Sequence, residues 1–474
     1  MKSVFVLAVL CCSVFFGSAQ DAPAKLSLKE SVDIALKNNI TVKQSGLLAD
    51  ADQVDWQQAK ANVLPDLNAN WNFGWNQGRN IDPATNGYIN QQLSSSGLGL
   101  SSNVILFAGL QLHNSIKQTA LAYQASKKDY DQAKNALTLN VLLTYLQILN
   151  NEDVLAISKS QIEVTRKQVE RLQIMVREGA VGQYQLTDLQ AQLSSDEITI
   201  VNSYNNLQTS KLTLSQLMNV PYNKDLQLDR SEFQEPAGVY EGTALEVYQQ
   251  ALQDFAQVQA SNLRVQSFEK AVKVARGAYY PTLSFGANLG SRYSSADLRG
   301  IPGSSFATKT GQYIDINNVQ YDVFRTDQNM TFTKIDYGKQ IETNLGTFYG
   351  FQLQIPLFNN LRVRNQVKLS KIGLQSAELD NQNIKLVLRQ NIDQAHLNME
   401  GTFARFKALQ EQVRNLEISF AAAEIRFNNG VINPAEYLLV KTNLDRANIN
   451  LVTSMYEYHL RTKVLDYYRA RLVW

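Results

Sequence analysis

The stretches EGAVGQYQLTDL (178–189) and NGVINPAEYLLV (429–440) stand 251 residues apart, and each has a glycine (Gly179, Gly430) followed two positions on by Val181 or Ile432. The same offset relates VILFAGL (104–110) to IPLFNNL (355–361). In both copies 72 residues separate the phenylalanine, Phe107 or Phe358, from the glycine. Two landmarks that keep one register over such a span mark a rigid element whose length matters, written twice. A further pair, AKANVLPDL (59–67) and ARGAYYPTL (275–283), recurs at an offset of 216, as do Ala35-Leu36 and Ala251-Leu252. The second copy therefore holds 35 more residues between Pro281 and Phe358 than the first holds between Pro65 and Phe107. The repeats are read as 20–240 and 241–474, with the extra length in 290–343.

Between Phe107 and Gly179 the texture is helical. Proline is absent from 84 to 220 and glycine from 110 to 178. Leu137, Val141, Tyr145 and Ile148 fall at three- and four-residue spacings, one face of a helix. A helix of ~70 residues is ~105 Å long at 1.5 Å per residue, so it needs bracing along its length. The segments 28–63, 183–218, 244–279 and 434–470 read as shorter helices, two of which laid end to end match one long one. At the tips, Arg177 suits a last helical turn and Gly179 the left-handed position that ends a helix. In the second copy Asn433 is placed to cap the next helix, Pro434 to occupy its first turn and Glu436 to complete a capping box.

Strands follow the prolines. After Pro65, Leu67, Ala69, Trp71, Phe73 and Trp75 alternate with Asn68, Asn70 and Asn72; after Pro281, Leu283, Phe285, Ala287 and Leu289 do the same. On the return, Phe351, Leu353, Ile355 and Leu357 alternate with Gln352 and Gln354. Strands of ~10 residues, apolar on one side and amide-rich on the other, fit a barrel with lipid outside and water inside. A β-sandwich half buried on its own core is the alternative. Four strands per chain cannot close a membrane barrel, because open edges are forbidden in hydrocarbon. Three copies would supply twelve strands. The segment 290–343 carries cancelling charges and reads as an exposed loop. Alternation in VQYDVF (319–324) and MTFTKI (330–335) suggests a small extra hairpin there; a cap over a pore and a disordered insertion both stay open. The segment 219–242, with Pro221 and Pro236, reads as the join between repeats.

The first nineteen residues read as a secretory signal: Lys2, an apolar run Val4–Phe16, then Gly17-Ser18-Ala19. Its removal takes away Cys11 and Cys12, the two cysteines of the chain, unless one of them carries a lipid. Basic and acidic side chains number 45 and 43, a balance that offers nothing to nucleic acid. His113, His396 and His459 are each isolated in helical stretches, and no metal, phosphate-loop or nucleophile motif accompanies them. The expectation is a non-enzyme with no cofactor.

The order signal, helix, proline-led strand, strand ending in a phenylalanine, long helix, glycine tip and returning helix, given twice, resembles the TolC family of outer-membrane efflux and secretion channels. The resemblance covers essentially the whole mature chain. It implies a mainly α fold with a transmembrane β-barrel: long antiparallel helical hairpins and four strands per chain, trimerising into a 12-stranded barrel and an α-helical tunnel. It also implies an outer-membrane location with a large periplasmic extension, lipid around the barrel, and two protein partners: a periplasmic adaptor and an inner-membrane transporter. The tips, Gly179, Val181, Gly182, Gly430, Ile432, Asn433 and Pro434, resemble the family's docking ends, though the glycines also simply end helices. Glu436 matches a position where members place pore-facing carboxylates, and it serves equally as a capping residue. Leu439 departs from the pattern, while Gln185 and Asp188 stand at the corresponding places of the first copy. Pro65, Phe107, Pro281 and Phe358 mark strand entry and return. Trp71, Phe73 and Trp75 suit an aromatic belt at a membrane surface, packing toward the lumen, or the helix junction. The expected function is a passive exit duct for small toxic compounds. A protein-secretion channel and a periplasmic coiled-coil scaffold are the alternatives.

Overall fold

The computed structural model describes residues 25–81, 86–90, 92–230 and 238–471. The expected signal at 1–19, with Cys11 and Cys12, and Pro236 of the join lie outside these residues. The chain runs α1 (Leu28–Asn38), α2 (Ile40–Ala61), β1 (Asn68–Asn76), β2 (Arg79–Ile81), β3 (Tyr88–Asn90), β4 (Leu93–Ala108), α3 (Gln111–Arg177) and α4 (Gln183–Met218). It continues with α5 (Ala244–Asp254), α6 (Ala256–Gly277), β5 (Thr282–Ser294), β6 (Leu298–Ile316), β7 (Val319–Lys334), α7 (Tyr337–Thr343), β8 (Gly346–Gln354), α8 (Arg362–Asn428) and α9 (Pro434–Tyr468).

The two long helices have the same length. α3 and α8 each hold 67 residues, about 100 Å at 1.5 Å per residue. Each follows a strand through two successive left-handed residues, Gly109 and Leu110 in one copy, Asn360 and Leu361 in the other. Leucine in that conformation costs roughly 1–2 kcal/mol, so both turns are held in place by what surrounds them.

Neither α1–α2 nor α5–α6 is continuous, which the sequence reading did not anticipate. α1 stops at Asn39 and α5 at Phe255, both in extended backbone conformation. Both α1 and α5 begin with a full capping box, Ser27 with Glu30 and Thr243 with Glu246. The breaks and the caps recur at the same offset of 216 as the sequence landmarks.

Two compact units divide the chain. One comprises residues up to Gln53, Leu121–Gln266 and those from Gln375; the other comprises Val54–Ala120 and Ser267–Leu374. Each unit draws on both repeats. In the first, Leu28, Val32 and Ala35 of α1 pack with Val141, Leu142, Tyr145 and Leu146 of α3 and Leu214 and Met218 of α4. Burial of each large side chain contributes roughly 1.5–3 kcal/mol. The Tyr145 hydroxyl lies 2.9 Å from the Leu26 carbonyl and 2.6 Å from that of Asp229, and it has one proton to donate between them. Leu26 and Leu228 form a parallel bridge, so the start of the join lies against α1's leading residues. A second cluster gathers Val247, Ala251 and Phe255 with Leu388, Ile392 and Tyr467.

In the second unit, β1, β4, β5 and β8 form one antiparallel sheet in the order β1-β4-β5-β8. These are the four strands expected. Among the described residues four more form two separate hairpins, β2 with β3 and β6 with β7. The small hairpin expected between 319–324 and 330–335 is not what forms: both segments, Ile335 aside, belong to the single strand β7. Its partner is β6, and the turn falls at Asn317-Asn318, both at positive φ. That is the geometry of the two-residue turn whose twist matches paired strands. The return strand also ends sooner than expected. β8 stops at Gln354, so Ile355, Leu357 and Phe358 lie beyond it. Pro356 has no N–H to give a ladder, which accounts for the stop. Phe107, by contrast, lies within β4, at a register shift after Ile105. Pro65 and Pro281 stand just ahead of β1 and β5.

Candidate functional site

Register assigns the sheet's two faces. One row crosses it as Trp71, Leu98 and Ser291; another as Ala69, Leu100, Leu289 and Thr347. Phe285 pairs with Phe351, their rings 5.1 Å apart. This face is apolar and open, with Trp71 65% and Phe351 71% exposed. Trp71, Phe73 and Trp75 all belong to it. The Trp71 indole donates to the Ser96 hydroxyl at 3.1 Å, and Tyr337 of α7 lies 3.1 Å from the same hydroxyl. The opposite face reads Asn68, Ser101, Asn288 along one row and Asn70, Gly99, Gly290, Gly346 along the next. Asn70 and Asn72 fold over Gly99 and Gly97, where an added Cβ would meet their side-chain oxygens at 2.5 and 2.6 Å. A sheet greasy and exposed on one side, amide-lined on the other, is suited to standing between lipid and water.

The helix tips share one mechanism. The Gly179 N–H bonds the Val176 carbonyl at 3.0 Å and the Ala180 N–H bonds Met175 at 2.8 Å; Gly430 to Phe427 and Val431 to Arg426 repeat this at 3.0 and 2.9 Å. This pair of bonds is the Schellman motif, and it needs a left-handed residue: φ is +73° at Gly179 and +71° at Gly430. The onward helices start differently. Gly182 caps α4 without a side chain. Asn433 caps α9 by accepting from the Glu436 N–H at 2.9 Å, with Pro434 in the first turn. The Glu436 carboxylate accepts from the Asn433 side-chain amide at 3.3 Å, not from the backbone N–H that a capping box requires.

Both tips meet. Val181, Gln185, Gly430, Ile432, Asn433, Pro434 and Glu436 line one cleft of about 350 Å³. Gly179, Gly182 and the exposed Asp188 stand outside its lining. Beneath it Leu172, Leu186, Leu189 and Phe427 pack with Tyr437, and Val181 and Ile432 join them. Tyr437 stacks on Phe427 at 4.6 Å. Burial, reinforced by the Glu424 carboxylate, pushes its hydroxyl up to about 12. Sequence reasoning missed Arg171, whose guanidinium donates to the side chain and, at 2.8 Å, to the backbone carbonyl of Asn428, tying the first hairpin to the second.

It also missed a buried ionic cluster farther along the same helices. Lys441 of α9 is 2% exposed. Its ammonium pairs with Asp445 one turn on, and with Asp196 of α4 at 3.8 Å. Asp196 also accepts from the Gln192 amide at 2.7 Å and from Thr165 of α3. Burial raises the Asp445 carboxyl above its ordinary value, and Lys441 opposes that rise.

A two-faced antiparallel sheet, with hairpins built on 67-residue helices in the same chain, defines the class: an outer-membrane export channel protein. The family model for the outer membrane efflux protein matches residues 32–220 and 247–466, and the chain belongs to that family. Outer membrane protein TolC of Escherichia coli is 22% identical over 433 residues, covering 89% of this chain and 77% of TolC. Toxin and drug export protein A of Aggregatibacter actinomycetemcomitans is 20% identical over 321 residues, covering 67% of this chain and 68% of that protein. Among solved structures, CusC superposes with a TM-score of 0.76 at 15% identity, covering 96% of this chain and 95% of CusC. The CmeC outer membrane channel of Campylobacter jejuni gives 0.73 at 17%, covering 94% and 85%. The protein is thus an outer-membrane channel component of the efflux type.

Proposed function

We propose that three copies of this chain pool their sheets into a twelve-stranded barrel, forming the passive exit duct of a tripartite pump that expels small toxic compounds. The observation that carries the reading is the sheet itself: four strands with free outer edges at β1 and β8, and an exposed apolar face backed by an amide-lined one. Free edges and greasy side chains are both satisfied if neighbouring copies continue the ladder and lipid covers the outside. On this reading Trp71, Phe73 and Trp75 face the bilayer. The cleft where the tips meet then receives a periplasmic adaptor, and an inner-membrane transporter supplies the energy. Gln185, Asp188 and Glu436 stand at the pore entrance on this reading, and in three copies Glu436 forms an acidic ring that favours cations. Protein export through the same duct is the second reading, supported by the name of the toxin and drug exporter that the chain resembles.

The test compares a deletion strain with its complemented parent on a panel of dyes, detergents and antibiotics, and sizes the purified protein in detergent. Sensitisation reversed by the intact chain, with a three-copy particle, is expected. Unchanged sensitivity together with proteins missing from the medium would move the assignment to secretion. A monomer soluble without detergent would refute the duct.

A further inference from the structure

The amide-lined face of the sheet is not uniform. It holds a hollow of about 290 Å³ between Asp66 at the β1 entry and Phe348 on β8, floored by Gly286 and Gly350. Among the described residues Asp66 is the one carboxylate in its lining, and no lysine or arginine lines it. The carboxylate is fixed: one oxygen accepts from the Asn103 N–H at 2.6 Å, the other from the Asn68 side-chain amide at 3.2 Å. Among the described residues no basic side chain pairs with it.

Phe348 is out of place by the logic of the sheet. Register sets it in the row of Asn68, Ser101 and Asn288, and it is the one aromatic of these four strands on that face among the described residues. It is 66% exposed. Its ring leans along its own strand over Gly350, 3.1 Å from where a Cβ would stand there, so glycine gives the ring its seat. Gly350 lies in the row Asn103, Gly286, Gly350, and Asp66 bonds Asn103 at the far end of that row. Two strand steps at about 4.8 Å and the 2.6 Å bond to Asn103 put the carboxylate and the ring's seat roughly 12 Å apart.

We propose that this hollow is a binding site for flat aromatic cations, and that Phe348 and Asp66 hold cargo of that class as it crosses the outer membrane. The aromatic face attracts a π-system or a cation, worth about 0.5–2 kcal/mol according to desolvation. The carboxylate supplies the opposite charge, and the amides and hydroxyls between them take the remaining polar groups. The separation selects an elongated fused-ring molecule with its charge toward one end. The site rests on the duct reading, since only there does this face line a lumen.

The probe is ethidium, added to the full-length protein in a planar lipid bilayer. Wild-type channels are expected to conduct and to show concentration-dependent block. Phe348→Leu and Asp66→Asn should each weaken the block tenfold or more, and Phe348→Tyr should retain it. Glu342→Gln, at an exposed carboxylate outside the hollow, should leave both conductance and block unchanged. Conduction with block undiminished in both site variants would overturn the site while leaving the duct intact. Loss of block in Glu436→Gln alone would also overturn it, by moving the cation to the entrance. Absence of conduction in the wild type would refute the duct, and the site with it.

Discussion

Replacing Lys441 with methionine keeps the aliphatic length and removes the charge. The Lys441 side chain is 3% exposed, and those of its partners Asp445 and Asp196 are 21% and 13% exposed. At an effective dielectric near 20, a pair about 4 Å apart attracts by about 4 kcal/mol, and the desolvation of both ions cancels much of that. Breaking the cluster from one side is different, because it leaves two carboxylates partly buried without a cation. Such losses run about 3–5 kcal/mol. Both carboxylates keep part of their surface in water, which holds the loss near the lower figure. At about 3 kcal/mol, with 1.36 kcal/mol per decade, hydrogen exchange through local opening of α9 should accelerate roughly a hundredfold near Lys441. The triple variant Lys441→Met, Asp196→Asn, Asp445→Asn carries no buried charge in the cluster and should return to within about tenfold of wild type. Exchange in the single variant equal to wild type would mean that the lysine carries no stabilising charge. A triple variant as fast as the single one would show that side-chain shape, not charge, holds this position.

Gly179→Ala and Gly430→Ala meet open space, since nothing lies within 4 Å of an added Cβ. Each should therefore cost only the backbone conformation, about 1–2 kcal/mol, read as faster proteolysis at the altered tip. Asn433→Ala should cost about 1 kcal/mol as the cap of α9 is lost, while Asn433→Asp should be nearly neutral, measured by local hydrogen exchange. For Asp445 the folded-state value is raised, so the folded protein holds this proton more tightly than the unfolded one. Its penalty is absent below the ordinary carboxyl value of 3.8 and grows as pH rises through the raised value. Asp445→Asn should flatten that part of a denaturation-versus-pH curve, whereas Glu30, lowered by the Ser27 N–H and hydroxyl, contributes stability that is lost as pH falls.

Long-range order was legible because it was written in spacing. The absence of glycine and proline from 110 to 178 left helix as the one structure able to fill it, and the glycines Gly179 and Gly430 marked its ends. The sheet's strands were legible from alternation. The breaks at Asn39 and Phe255 were not, because no proline or glycine makes them; the extended backbone there is a tertiary choice, signalled only by its recurrence at one offset. The long β6–β7 hairpin was misplaced because Gly300, Pro302, Gly303 and Gly311 interrupt its alternation. The adjacent asparagines at 317 and 318 were the signal to follow. Lys441 with Asp445 one turn on reads in sequence as a solvated pair on a helix surface. Only the packing of α9 against α4 and α3 buries it. Phe348 stands beside other aromatics in sequence, and only pairing register puts it on the other face.

The equal lengths of α3 and α8 bear on how such a chain can change over generations. Inserting one residue into either would carry everything beyond it 1.5 Å along the helix and 100° around it. One tip would slip past the other, and Arg171 would lose Asn428. Drift in length is thereby pushed out of the helices and into the connecting segments, and 290–343 is where the two copies of this chain have diverged by 35 residues. A descendant with longer helices would need matched additions in both copies, close to whole numbers of turns, so relatives are expected to differ there in steps near seven or eleven residues.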